Sequence, residues 1–186
     1  GEGVGIMGYT TDFEGRFDIT PPLSDEHREY LLKFSDTRRM VRDESLTAKR
    51  PDPIREAAGL PVGESGCYFV GESGYAGQDS GEDVLEHNTP PPSQPSLWCQ
   101  WVPTEDGRHL KWNECEKFYE YVRWLRDVIC TQFLERWGYM LNGRVSWIGE
   151  DDRDRGTIIV KDNVVTTGVW AKVRKSSHWS SLVVRS

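Results

Sequence analysis

Cysteine is scarce in this chain and never paired. Cys67, Cys99, Cys115 and Cys130 form no C-x-x-C spacing, so the usual zinc-ribbon, redox and disulfide-scaffold patterns are missing. Reduced, mostly structural thiols in a cytosolic protein are expected. No apolar run approaches the roughly 20 residues that cross a bilayer. The first residues also show no basic segment followed by an apolar one, so neither a membrane span nor a secretory signal is expected. Histidine is sparse as well: there are four, His27, His87, His109 and His178, which gives a hydrolase triad little support. Acidic residues stop altogether after Thr167, where Lys172, Arg174, Lys175 and Arg185 follow. The net charge of −7 therefore leaves −11 on the first 167 residues. Such acidity argues against a chain-wide nucleic-acid surface, which would be basic.

What is abundant is aromatic. Eight Trp, seven Tyr and six Phe in 186 residues, with 37% hydrophobic residues overall, suffice for a real core and exclude wholesale disorder. The run from Tyr9 to Thr20 reads as a strand with a turn or bulge at Gly15. Ser24 is a helix N-cap preceded by the staple residue Leu23, and Tyr30, Leu31, Phe34 and Val41 recur at helical spacing behind it. Arg38, Arg39 and Arg42 are then expected in the last turn. Residues 43–96 hold seven of the ten prolines and many glycines. They read as a loop-rich insertion with a short helix at 53–58 and a strand at Cys67–Val70 between two Gly-Glu-Ser-Gly copies. The stretch 75–96 reads as a long surface loop.

Leu97–Val102 reads as an aromatic strand with Trp98 and Gln100 on the face opposite Cys99 and Trp101. Asp106-Gly107 is a hairpin turn. Asn113 and Glu116 resemble a capping box opening a second helix, whose stripe runs from Phe118 through Tyr121, Val122, Leu125, Val128 and Ile129 to Phe133 and ends at Gly138. Three strands follow at about 139–149, 156–161 and 163–168. The order predicts an α+β fold, an antiparallel sheet with two main helices packed on one face, ferredoxin-like or a related sandwich. Residues 1–8 are expected to be a flexible leader and 9–167 a single domain. Residues 168–186 would form a basic extension that pairs a sheet edge of its own domain or of a second copy, which would make a homo-oligomer.

The runs GYTTDFEGRF, FSDTRRM, LWCQWVPTEDG, EKFYEYVRWL, WGYMLNGRV and KDNVV together resemble a group of small proteins from actinobacteria and bacteriophages, over Met7 to about Val165. That group has no established activity to carry over. The resemblance implies an accessory gene product more readily than a metabolic enzyme.

Among sites, Cys99, His109 and Cys115 make the best metal cluster, but without paired short spacing no metal and no cofactor are expected. The acidic turn Glu150–Asp154 fails the calcium-loop pattern, having Arg155 where glycine belongs. Ser65 and Ser73 lack the second glycine of a nucleophile elbow. The candidate binding residues are Trp98, Gln100, Arg38, Arg39 and Trp147, because exposed Trp and Arg are over-represented among interface anchors. They point to a non-catalytic protein-binding or regulatory module, a phage or mobile-element accessory factor with a protein partner. The alternative is a small enzyme acting on nucleotides or nucleic acid, built on Arg38, Arg39 and acids near Glu105.

Overall fold

Two stretches of alternating sequence, Thr11–Thr20 (β1) and Met140–Gly149 (β6), lie antiparallel along their whole length in the computed structural model, which describes residues 8–71, 77–172 and 179–185. Between them come helix α1 (Asp25–Ser35), the small strands β2 (Val41–Arg42) and β3 (Val84–Glu86), and the hairpin β4 (Trp101–Pro103) with β5 (His109–Trp112). A long helix over 121–137 leads into β6. Strands β7 (Arg155–Lys161), β8 (Val164–Lys172) and β9 (Trp179–Arg185) complete the chain. The large sheet has the order β4-β5-β1-β6-β7-β8-β9, and β2-β3 form a separate pair.

The α+β class and the antiparallel sheet are as the sequence predicts. A ferredoxin-like arrangement is not confirmed: the sheet has seven strands, and β6 to β9 run as a simple meander of neighbours. Strand β8 crosses the boundary expected at 167, and β9 pairs with it at the sheet edge. Residues 1–7 of the expected leader 1–8, and residues 72–74 of the second Gly-Glu-Ser-Gly copy, lie outside the described residues. Among the described residues no helix is long and apolar enough to cross a membrane.

Alternation decides which face is covered. Phe17, Ile19, Leu110, Leu141, Val145, Ile158 and Val160 point to the helices and are buried. On the other face Glu14, Arg16 and Arg144 are exposed, and His109 bonds Asp18 at 2.9 Å. Glycine is required where β1 and β6 coil closely. Gly15 has φ +105°, and a Cβ there would stand 3.0 Å from the Arg144 carbonyl oxygen. Gly143, at φ +129°, would meet the Phe17 backbone at 3.3 Å.

Helix α1 starts as expected, with the Ser24 hydroxyl accepting from the His27 amide at 3.3 Å. It ends earlier than the periodicity implies. The Asp36 amide caps the Leu32 and Lys33 carbonyls, and the Thr37 hydroxyl donates to Lys33 O. Arg38, Arg39, Val41 and Arg42 are thus past the helix, not in its last turn. The insertion lies across this segment: Val41 N–H donates to Thr89 O and Asp43 N–H to Asp83 O. The short helix Pro53–Ala57 is present. Cys67–Val70 forms no strand, because Gly63, Gly66 and Gly71 all sit at positive φ and turn the chain on both sides.

The long helix also departs from expectation. It begins at Tyr121, not near Asn113, and its middle, Trp124–Leu134, is wound with i→i−5 hydrogen bonds. Thr131 Oγ1 donates to Arg126 O and Gln132 Nε2 to Asp127 O, repeating that step in the side chains. Its buried set, Trp124, Leu125, Val128, Ile129, Phe133 and Leu134, recurs every four to five residues. Phe133 touches Tyr30 and Phe34 of α1 at ring-centroid distances of 5.4 and 5.1 Å. Leu125 is fully buried, so Leu125→Ala is expected to destabilise by about 2–5 kcal/mol in urea denaturation. A loss near zero would show that this helix does not seal the core.

Candidate functional site

The segment 97–100 precedes β4 without joining the sheet. Gln100 O accepts from the Asn113 amide, and Arg39 N–H donates to Leu97 O. Across from it, the irregular stretch 113–120 holds three non-glycine residues at positive φ: Glu114, Lys117 and Glu120. Asn113 Oδ1 accepts from the Cys115 amide, an Asx turn where the sequence suggests a helix cap. The reason is Phe118, which must reach the core against Trp101 and Phe13 before the helix can start.

Between these two segments and the C-terminal end of α1 lies a cavity of about 390 Å³. Trp98, half-buried, and Tyr119, exposed, supply aromatic surface. Asp36 and Glu116 are exposed carboxylates on its lining, and Lys117 is the one cation there among the described residues. Ser35 lines it too; its side-chain oxygen is buried and makes no hydrogen bond among the described residues.

Two hydrogen-bonded clamps hold the frame of the cavity. Gln100 Nε2 donates to Glu116 O at 3.2 Å, and Gln100 Oε1 accepts from Trp112 Nε1 at 3.3 Å. Trp124 Nε1 donates to Ser96 Oγ at 2.6 Å, and that hydroxyl reaches Tyr119 O.

Of the five expected binding residues, the structure brings two to this cavity. Trp98 is at its wall. Gln100 lines it too, but is buried and fully engaged, a clamp between 100 and 116 and not an exposed contact. Arg39 is not on a surface at all. It is 1% exposed, lies over the Phe34 ring, and donates to Cys67 O and Gln94 Oε1. Burial pulls its pKa down to about 10. The early end of α1 turns it inward, where it fastens the insertion to the helix. Arg38 is spent in the same way, on His87 O and Asn88 Oδ1. Trp147 is 8% exposed, belongs to the core, and donates to Asp154 Oδ1. It borders a different cavity beside Tyr121.

The alternative enzyme constellation is not assembled. The hairpin turn next to Glu105 packs at the start of α1, where Leu23 N–H meets Gly107 O at 2.9 Å. Arg38 and Arg39 lie beyond the other end of that helix, roughly 16 Å along its axis. The three possible metal ligands are apart as well. Cys99 is in the core, His109 on the open sheet face, and Cys115 on the exposed loop. Burial raises the thiol pKa of Cys99 and Cys130 to about 12 and that of Cys67 upward, so these three are inert. Cys115 is the exposed thiol of the four. In the acidic turn, Asp151 pairs with Arg153 and is held down to about 2, while Asp154 accepts from Tyr9 and Trp147.

Ser35, Asp36 and Tyr119 have no signal in the sequence, since a helix read through to Val41 hides the first two. The dense charges of 114–120 were the one hint of a surface loop. No family model, curated protein or solved structure matches this chain.

Proposed function

We propose that the chain is a non-catalytic protein-binding module that docks its partner at the cavity around Trp98. The observation that carries this reading is a half-buried Trp and an exposed Tyr beside a cavity whose walls are already hydrogen-bonded. Large aromatic surface at low conformational cost is what interface anchors supply. Among the described residues no histidine lines the cavity, so none there supplies Cys115 with an imidazole base. A body of net charge −11 over 167 residues favours encounter with a basic partner. The unpaired thiols support a cytosolic setting, and the resemblance to actinobacterial and phage proteins supports an accessory role.

Affinity capture from a bacterial host lysate with the full chain and with Trp98→Ala tests this. A captured protein should fall by about tenfold or more with the variant, the scale of a hot-spot truncation. Cys115 should resist alkylation in the wild-type complex. Equal capture by both chains, with Cys115 still reactive, would sink the reading.

A further inference from the structure

We propose that this cavity takes an arginine side chain of the partner, an inference that rests on the docking reading above. Four features of one place select a cation. Helix α1 ends there at Ser35, and a helix C-terminus carries partial negative charge. The Asp36 and Glu116 carboxylates both lie on the lining. Trp98 and Tyr119 offer ring faces on which a cation is attracted. The Ser35 oxygen, buried and without a hydrogen-bond partner among the described residues, is an acceptor in want of a donor.

The planar guanidinium suits this set better than an ammonium. It stacks on an indole and still presents five N–H donors in a fixed fork. Such a fork can pair bidentately with a carboxylate, and the lining offers two, Asp36 and Glu116. Arg39 is turned away toward Cys67 O and is not on the lining. Lys117 is on it, and its stem runs beside Gly8, so it opposes the bound cation and weakens the site.

The exposed Cys115 reports occupancy, because the other three thiols are buried. The rate of its alkylation by N-ethylmaleimide is measured on the full chain with three probes: acetyl-Gly-Arg-Gly-amide, the same peptide with citrulline, and inorganic phosphate. Citrulline keeps the shape of arginine and removes the charge. The arginine peptide should slow alkylation saturably, by about threefold more than citrulline, with phosphate without effect. The preference should vanish in Asp36→Asn combined with Glu116→Gln, both exposed positions. It should grow in Lys117→Gln, a change that a merely structural role would not produce. It should also weaken in high salt.

Equal protection by the two peptides would overturn the arginine assignment while leaving the cavity a docking site. Protection by neither peptide, protection by phosphate alone, or an arginine preference that survives the double substitution would overturn it too. The docking reading is judged separately, by the Trp98→Ala capture.

Discussion

Trp101→Ala is expected to destabilise the chain by about 3–5 kcal/mol, the range for removing a fully buried Trp, which for a chain of this size lowers the melting temperature by roughly 6–20 °C. Trp101 has no exposed surface. Its ring meets Phe13, Phe17 and Phe118 at 5.3–5.7 Å, and its Nε1 donates to Tyr121 O at 2.8 Å. The truncation leaves a cavity between β1, β4 and the 113–120 segment and strips a donor from the first residue of the long helix. Trp98→Ala, three residues earlier, removes a half-buried ring and should cost well under half as much. Thermal and urea denaturation of both variants check the contrast. Equal losses would mean that Trp98 is a core residue, and the docking cavity would lose its anchor.

A comparable loss, about 3–5 kcal/mol, is expected from Asp83→Ala, because breaking a buried ion pair strands its partner. The Asp83 carboxylate, side chain 2% exposed, accepts from Arg42 at 3.0 Å, Arg50 at 2.9 Å and the Thr47 hydroxyl at 3.0 Å. Burial pushes its pKa up, yet the charge and hydrogen bonds of Arg42, with Thr47 and Arg50, bring it below the ordinary carboxylate value. Burial wins at Arg42, whose pKa falls despite Asp83. The anion is therefore well served and the buried cation is not. Once Asp83 is gone, Arg42 would keep the Phe69 ring at 4.6 Å but lose its carboxylate partner.

The sign of the pH dependence follows. A carboxyl whose folded pKa lies below its unfolded value of about 3.9 contributes its full stability above that value and loses it as pH falls through the folded one. Wild type should therefore weaken below about pH 4 more steeply than Asp83→Asn. Parallel slopes in urea titrations between pH 5 and 2 would show that Asp83 is not stabilised as the anion.

Both residues show what could be seen in advance. Trp101 was legible: alternation in 97–102 put it with Cys99 on one face, and both are fully buried, whereas Gln100, read onto the other face with Trp98, is buried as well. Asp83 was not legible, because its partners come from positions 42, 47 and 50 through a tertiary crossing of the insertion. The same crossing undid the reading of Arg38 and Arg39. Two arginines read as exposed in the last turn of a helix became fasteners of the insertion, Arg39 buried and Arg38 half-buried.

The α+β class, the N-cap at Ser24, the Asp106-Gly107 hairpin and the three strands between 140 and 168 were legible in the sequence. These depend on neighbours within a few positions, through alternation, capping and turn chemistry. Where α1 stops, how the long helix winds, and the enclosure of one cavity by 97–100, 113–120 and the end of α1 were settled by long-range packing. Those outcomes depend on which apolar surfaces meet. Phe118 entering the core delays the helix, and the insertion's carbonyls, carboxylates and amides compete for the arginines. Ser35 and Glu116 stand far apart in the chain, so no local pattern could bring them to the same wall.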